Sequence, residues 1–314
     1  MFNEAENAEL TLRRVEEALA PFEGEYEIIV VDDGSVDNTS EVLKKVSEQN
    51  GKVKMVSHSR NIGRGKALRT GFKESMGEIV VSIDADLSYD PRYILDFLEI
   101  FRAEEDVDLL LGSPYMPGGG VEGVPFLRLC ISKLGNKVLR LAMPNRIYTS
   151  TGIFRAYRRR VLDSLELESD GKEIHLEILS KAMAVGYRVK EVPAILRGRR
   201  KGKSKFKFKK TALSHIVFSV FEKPMIVFGF IGLLTVGAGF LFGLYVAYLR
   251  FAGELTPGRP LITFALLLIL GGMQILSFGF IAIQIVALRR EILRIQKENL
   301  ELRNEIKTMG NGKG

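Results

Sequence analysis

Two long apolar segments in the last third of the sequence constrain the fold of this chain more than any other feature. Met225–Leu249 and Leu261–Leu288 are each about 25 residues or slightly longer, and neither contains a charged residue. A helix of about 20 apolar residues is long enough to cross the hydrocarbon core of a bilayer. Two buried core helices of a soluble domain are the alternative, which the length and the lack of charge disfavour. We therefore predict two transmembrane helices over residues 225–288.

Charged residues around these segments predict their orientation. The connection between the segments carries two arginines and one glutamate, whereas basic residues crowd both outer flanks, at 199–223 and 289–297. Cytoplasmic flanks of membrane helices carry an excess of Lys and Arg. We therefore expect a cell-membrane protein with two spans, whose domain before the first span and both termini lie in the cytoplasm.

The basic run 199–210 is rich in Lys and Arg and contains no acidic residue. Nucleic-acid binding is one interpretation, but a basic stretch directly before a membrane segment is typical of contact with anionic lipid headgroups. We expect the membrane, and no nucleic acid, to be its partner. Apolar residues then recur at helical spacing over 211–224, which predicts a juxtamembrane amphipathic helix. A core helix of the soluble domain is the alternative.

The chain up to about residue 210 alternates strand-like and helix-like stretches. Strands are predicted at Tyr26–Val31, Lys52–Ser57, Glu78–Ile83 and Asp108–Gly112, and helices at Glu9–Ala20, Ser40–Gln49, Lys66–Met76 and Arg92–Arg102. Buried strands separated by helices form a mostly parallel sheet with helices on both faces. We predict an α/β domain over residues 1–210, with ligands bound at the carboxyl ends of its strands.

The start of the chain lacks the strand that such a sheet should begin with. Met1-Phe2-Asn3-Glu4 is loop-like in composition and leads straight into a helix. We therefore expect the first strand of the sheet to be missing from this sequence and to be encoded upstream of Met1.

Acidic residues follow two of the predicted strands. Alternate residues of a strand face the same side, so Asp84 and Asp86 can converge where the third strand ends. Two carboxylates suit Mg²⁺ or Mn²⁺, which would neutralise a diphosphate; an ordinary acidic turn is the alternative. Because the chain has only three histidines and one cysteine, we expect carboxylates to hold any metal.

Two further segments allow both a structural and a functional interpretation. Asp32 and Asp33 end the first predicted strand, where they could form a turn and helix cap or accept hydrogen bonds from a nucleobase or ribose. Arg60–Lys66 is a Gly-rich loop that opens a helix, which suggests a phosphate cradle. It does not have a Walker A sequence.

Five short motifs together resemble one enzyme family. They are F-N-E at residue 2, V-V-D-D-G-S at 30, N-I-G-R-G-K-A at 61, D-A-D-L at 84 and F-R-A-Y-R-R at 154. This order resembles the family 2 glycosyltransferases of GT-A (Rossmann-like) fold, in particular dolichol-phosphate mannose synthases and polyprenyl-phosphate glucosyltransferases with two transmembrane helices. The resemblance covers roughly residues 1–205. It implies an inverting transfer of mannose or glucose from GDP-mannose or UDP-glucose to a polyprenyl or dolichyl phosphate.

The resemblance also implies roles for individual residues. The nucleotide-binding residues would be Phe2, Glu4, Asp32, Asp33, Lys66 and Asp84. Asp84 and Asp86 would bind Mg²⁺ or Mn²⁺. Ser88 stands where relatives often have a polar amide, and would be a weaker metal ligand.

On the acceptor side, the resemblance implies contacts with the lipid phosphate. Arg128 and Ser132 lie in a stretch similar to the family's acceptor loop, and Arg200 and Lys205 lie in a segment similar to its R-x-x-G-x-S-K motif. Glu177, on a helix predicted at residues 174–185, matches a family acid expected to orient these basic groups. Together with Asp84 and Asp86, the four acceptor residues form the expected catalytic set.

Two other functions remain open at this point. An enzyme that extends a polysaccharide or glycolipid would share the D-A-D motif, but processive members carry Q-x-x-R-W and this chain has no tryptophan. Loss of a metal aspartate would have favoured a non-catalytic membrane binding module, yet Asp84 and Asp86 are both present. We therefore expect a metal-dependent polyprenyl-phosphate hexosyltransferase.

The sequence after the second span shows a heptad pattern. Apolar residues recur in steps of three and four from Leu288 to Met309, with Asn299 at a central a position. This seam of about three heptads predicts a cytosolic coiled coil over 289–309 that joins copies into a homo-oligomer. A short surface helix is the alternative. Residues 310–314 are expected to form a disordered tail.

Overall fold

A computed structural model describes residues 1–125, 129, 132–133, 136, 147–198, 224–253 and 260–311. The chain divides into two compact units, one of Met1–His215 with Leu293–Gly314, the other of Ile216–Ile292. The basic run 199–210 and residues 211–223 of the predicted juxtamembrane helix lie outside the described residues.

Strands and helices alternate through the first unit much as the sequence predicts. The strands are β1 (Ile28–Asp32), β2 (Val53–Ser57), β3 (Ile79–Ser82), β4 (Leu109–Ser113), β5 (Gly120–Glu122), β6 (Arg155–Arg158), β7 (Val189–Pro193) and β8 (Ile195–Arg197). The helices are α1 (Ala5–Leu19), α2 (Thr39–Gln49), α3 (Arg64–Glu74), α4 (Tyr93–Ala103), α5 (Arg159–Ser164) and α6 (Ile174–Ala184).

The strands pair mainly in parallel. β1 pairs with β2, β4 with β7 and β5 with β8, each in parallel. The exception is β6, which lies antiparallel between β3 and β4 in the order β3-β6-β4-β7. The described strands form one four-stranded and two two-stranded sheets. The α/β class predicted from the sequence is confirmed, with an antiparallel strand, β6, that the sequence did not indicate.

Met1 lies alongside β1 as a strand residue would. Its amino group donates a hydrogen bond to the carbonyl of Val31, and its carbonyl accepts one from the N–H of Asp33 at 2.8 Å. The strand expected upstream of Met1 concerns residues outside this sequence, so it stays a prediction.

Aromatic side chains form the centre of the larger core. Phe97 of α4 stacks on Phe154 with a centroid separation of 4.7 Å, and Tyr89 stacks on Phe154 at 5.2 Å. Side chains such as Phe97 and Leu110 are fully buried, and burying each stabilises the fold by about 1.5–3 kcal/mol. This core fixes the loop that follows β3, because Tyr89 belongs to that loop.

Two long apolar helices follow, α7 (Pro224–Phe251) and α8 (Leu261–Asn311). Val227–Phe251 and the first part of α8 are long and apolar enough to cross a membrane. The helices approach closely at Gly272, where an added Cβ would lie 2.7 Å from the backbone nitrogen of Val236. Small residues at such crossings are typical of packed membrane helices.

The C-terminal part of α8, which belongs to the first unit, contacts the end of α6. The ammonium of Lys297 donates to the carbonyl of Val185 at 3.2 Å and lies 4.2 Å from the ring centroid of Tyr187. Val185 follows the last residue of α6. The negative end of the helix dipole lies there and stabilises a cation such as the Lys297 ammonium. The helix extends to Asn311, two residues beyond the predicted coiled coil, and 312–314 lie outside the described residues. The predicted disordered tail is thus helical at residues 310 and 311.

Candidate active site

The carboxyl end of β1 carries two buried aspartates with different partners. Asp32 accepts hydrogen bonds from the N–H and hydroxyl of Ser35, at 3.1 and 2.5 Å, and so forms the turn. Asp33 reaches the loop after β2: its carboxylate accepts from the N–H groups of Ile62 (3.1 Å) and Gly63 (2.9 Å) and lies 2.8 Å from His58 Nδ1. Asp33 therefore holds this loop against the end of β1.

The F-N-E motif packs against the same turn. The N–H of Asn3 donates to the hydroxyl of Ser35 at 2.9 Å, and the N–H of Glu4 donates to the hydroxyl of Thr39 at 2.8 Å. The Glu4 carboxylate is buried and accepts from the Asn7 amide at 2.8 Å. The structure thus brings together the segments that carry Phe2, Glu4, Asp32 and Asp33, the predicted nucleotide-binding residues.

Four backbone N–H groups of the Gly-rich loop are bound within the protein. The N–H groups of Gly65 and Lys66 donate to the carbonyl of Asp170, at 2.7 and 3.3 Å, while those of Ile62 and Gly63 bind Asp33. A cradle needs such N–H groups to point at the ligand, so that interpretation is wrong for these four amides. Lys66 stays a predicted diphosphate contact through its side chain alone.

The D-A-D motif lies in the loop that follows β3. Arg64 Nη2, from the first residue of α3, lies 3.4 Å from Asp84 Oδ1. The hydroxyl of Thr11 on α1 holds the loop by donating to the carbonyl of Ala85 at 2.7 Å. Leu87 has a φ of +52°, a left-handed conformation that costs a non-glycine residue about 1–2 kcal/mol. Such local strain is typical of functional loops.

The donor set at this loop fits a magnesium or manganese ion that is shared with a ligand. Within the described part of the chain, no cluster of three or more His, Cys, Asp or Glu residues could hold a metal by itself. Asp84 and Asp86 would supply two hard oxygen donors, and a bound diphosphate would supply others. The hydroxyl and N–H of Ser88 both donate to Asp86 Oδ1, at 2.5 and 3.1 Å. Ser88 therefore orients this carboxylate, and its role as a ligand stays a prediction.

Of the predicted acceptor residues, the structure describes only Ser132. Its hydroxyl accepts a hydrogen bond from Tyr115 at 2.7 Å, and its carbonyl accepts one from the Asn136 amide at 3.0 Å. Arg128, Arg200 and Lys205 lie outside the described residues, so their grouping around an acceptor stays a prediction.

Glu177 on α6 holds a neighbouring segment of backbone. Its carboxylate oxygens accept from the N–H groups of Glu168 (3.0 Å) and Ser169 (2.9 Å) and from the ammonium of Lys181 (2.7 Å). Burial raises the pKa of the Glu177 carboxyl, but hydrogen bonds led by those from Lys181 and Ser169 outweigh it and lower that pKa below its ordinary value. Among the described residues, Glu177 thus orients a loop, whereas the sequence predicted that it orients basic acceptor groups.

Sequence reasoning missed Arg155, although it lies within the F-R-A-Y-R-R motif. Its fully buried guanidinium donates to the carbonyls of Gly152 (2.7 Å), His175 (2.6 Å) and Ser150 (2.6 Å). Burial lowers the pKa of this guanidinium. The available signal was an arginine between apolar residues of a strand, which predicts a charge held inside the core.

The model of glycosyl transferase family 2 matches residues 1–166. The chain belongs to glycosyl transferase family 2. This family member is 37% identical over 210 residues to a dolichol-phosphate mannosyltransferase of Pyrococcus furiosus, a match that covers 66% of this chain and 58% of the relative. It is 33% identical over 211 residues to the polyprenol monophosphomannose synthase of Mycolicibacterium smegmatis, covering 65% and 77%.

Solved structures agree on the fold of this family 2 member. Glucosyl-3-phosphoglycerate synthase from Mycobacterium tuberculosis, in complex with phosphoglyceric acid, superimposes with a TM-score of 0.53 at 20% identity and covers 70% of this chain and 76% of that one. The same enzyme with Mg²⁺ and uridine diphosphate superimposes with a TM-score of 0.53 at 20% identity. That match covers 70% of this chain and 75% of the solved chain. At this identity the likeness establishes the GT-A fold alone, which confirms the predicted fold class.

Proposed function

We propose that this chain transfers a hexose from a nucleotide diphosphate sugar to a polyprenyl phosphate at the cytoplasmic face of a membrane. The observation that carries the proposal is that the start of α3 contacts both acidic clusters of the chain, the one at Asp33 and the one at Asp84. Gly63 binds Asp33 and the adjacent Arg64 lies beside Asp84, in a chain that also has two helices able to cross a membrane. The names of the two curated relatives, both transferases of mannose to a polyprenyl or dolichyl carrier, support the same substrates.

In the proposed reaction, an oxygen of the lipid phosphate attacks the anomeric carbon of the sugar. The bond from that carbon to the nucleotide diphosphate breaks, the diphosphate leaves with the electron pair, and the configuration inverts. The lipid phosphate is already anionic, so it needs orientation and charge screening more than a base. We assign that orientation to Arg128, Ser132, Arg200 and Lys205, and the basic groups among them also suit anionic headgroups.

On the donor side, we assign a divalent cation to Asp84 and Asp86. Mg²⁺ or Mn²⁺, when bound, would screen the charge of the departing diphosphate. Phe2, Glu4, Asp32 and Asp33 are assigned to the nucleotide, with Lys66 and Arg64 near the diphosphate. GDP-mannose and UDP-glucose are the candidate donors, and the relatives' names favour mannose.

The proposal is tested by incubating membranes that contain the protein with labelled GDP-mannose or UDP-glucose and a polyprenyl phosphate. We expect label to enter the organic phase as a hexosyl lipid phosphate that mild acid cleaves. Label in a polymer would instead favour polysaccharide extension. Failure of both donors to label any product, with nucleotide still bound, would favour a non-catalytic module of the same fold.

We also propose that α8 joins two copies of the chain in parallel. Ile292, Ile295 and Leu302 at a and d positions are 49%, 49% and 56% exposed. Lys297 occupies an f position, on the face opposite the seam, so its contact with the carbonyl of Val185 leaves the seam open to a second copy. Asn299 at the central a position favours two in-register strands.

Ile295→Cys, in a Cys130→Ser background, should therefore form a disulfide-linked dimer when membranes are oxidised. Arg294→Cys is the matched control, because Arg294 lies one residue away at a c position and pairs with Glu298 of its own helix at 3.4 Å. Non-reducing electrophoresis measures the outcome. Equal cross-linking at the two positions, or none at Ile295→Cys, would contradict the paired helix.

A further inference from the structure

We propose that Glu177 and Lys181 are positioning residues for the donor half of the active site. They act through the backbone of residues 166–171, called here the strut segment, on the start of α3. The proposal rests on the function proposed above, since it concerns how tightly that site holds a nucleotide diphosphate sugar. It differs from the role that the sequence suggested for Glu177.

The coupling begins at the ion pair between Glu177 and Lys181. Glu177 and Lys181 lie one turn apart on α6, with N and O 2.7 Å apart and side chains 10% and 7% exposed. Lys181 also donates to the carbonyl of Glu166, and Glu177 accepts from the N–H groups of Glu168 and Ser169. Three backbone groups of the strut segment are thereby fixed by one buried pair.

The second step runs from the strut segment to α3. The carbonyl of Asp170 accepts from the N–H groups of Gly65 and Lys66. Arg69, one turn further along α3, donates to the carbonyl of Glu168 at 2.7 Å and to the carboxylate of Asp170 at 3.0 Å. The backbones pack so closely that a Cβ on Gly65 would lie 2.2 Å from the carbonyl oxygen of Ser169.

The third step runs from α3 to the acidic clusters. Gly63, which precedes the helix, is bound to Asp33 at 2.9 Å, and Arg64, its first residue, lies 3.4 Å from Asp84. The start of α3 is therefore held by Asp33 on one side and by the strut segment on the other. Loosening either support shifts Arg64 and Lys66 relative to Asp84.

A purely stabilising role is a poor explanation of the buried pair. Replacing a buried ion pair by apolar groups of similar size is often neutral or stabilising, because desolvation offsets the attraction between the charges. What the pair supplies here is directional: hydrogen bonds to three backbone groups that an apolar pair cannot make. Displacing a binding group by about 1 Å can cost as much as about 100-fold in rate.

The test uses the full-length protein with Glu177→Gln and, separately, Lys181→Met. Glu168→Gln is the matched control, because it removes a charge from the strut segment itself but keeps the backbone N–H that binds Glu177. We expect KM for the nucleotide sugar to rise about tenfold in both test variants. KM for polyprenyl phosphate should stay unchanged, and the control should match the wild-type protein.

Backbone hydrogen exchange at residues 62–69 provides a readout that does not depend on activity. We expect about tenfold faster exchange of this peptide in Glu177→Gln, because the N–H groups of Gly65 and Lys66 lose a fixed acceptor. If exchange is faster in Glu177→Gln but no form of the protein makes a lipid product, the positioning role of the strut segment is supported. The same result refutes the proposed function. Unchanged exchange would overturn the positioning role. An equal rise in KM for both substrates, together with a loss of thermal stability, would overturn it as well.

Discussion

Asp86→Asn should lower hexose transfer by about 1,000-fold or more, the largest effect on activity that we expect from a single substitution. The amide keeps the shape of the side chain and can still accept the hydrogen bonds from Ser88. It removes one of the two negative charges that suit a divalent cation, so the charge on the departing diphosphate goes unscreened. In free energy, such a loss is about 4 kcal/mol of transition-state stabilisation.

The measurement is initial rate of lipid labelling in detergent, with Mg²⁺ or Mn²⁺ added after treatment with EDTA. The wild-type protein should lose activity in EDTA and regain it with either metal. Asp163→Asn, at an exposed position on α5, should behave as the wild-type protein does. An Asp86→Asn variant that stays fully active in excess EDTA would contradict the assignment of the metal.

Local pattern predicted the elements of the GT-A domain closely up to the end of β4, and did not predict the strands that follow it. The strand expected at Asp108–Gly112 is Leu109–Ser113, and the helix expected at Lys66–Met76 is Arg64–Glu74. Such agreement follows from burial, since a continuous apolar run of about five residues flanked by polar turns has few alternatives to a buried strand. The two acidic clusters were located for the same reason, because each directly follows a strand.

Partners distant in sequence could not be predicted. The Gly-rich loop has the composition of a phosphate cradle, but the N–H groups of Gly65 and Lys66 bind the carbonyl of Asp170, about 100 residues later in the chain. A local pattern shows that N–H groups are available and cannot show which acceptor occupies them. The antiparallel β6 and the strut formed by Glu177 were missed for the same reason, since both depend on pairing across the fold.

We expect the largest loss of stability from substitution of Arg155, the first residue of the antiparallel strand β6. Arg155→Met fills most of the same volume but leaves the carbonyls of Ser150, Gly152 and His175 without the guanidinium donor in a part of the core where Arg155 is 1% exposed. The His175 carbonyl lies within α6 and keeps its helical hydrogen bond, so only the carbonyls of Ser150 and Gly152 are left without a donor. Each buried acceptor left unsatisfied costs about 1–3 kcal/mol, and losing the bond to His175 costs about 1 kcal/mol, so we expect the domain to lose about 3–5 kcal/mol.

A loss of that size lowers the melting temperature of a domain of this length by roughly 6–20 °C. Thermal unfolding of the full-length protein in detergent measures it. Arg13→Met on α1 is the control for loss of an exposed arginine. The Arg13 side chain is 66% exposed and pairs with Glu17, itself 49% exposed, at 3.4 Å, and exposed ion pairs contribute about 1 kcal/mol or less. The three carbonyls belong to the segment before β6 and to the start of α6, so Arg155 ties these two parts of the chain together. If Arg155→Met melted within about 2 °C of the control, these carbonyls would have to find other donors on relaxation, and the buried guanidinium would not be what fixes them.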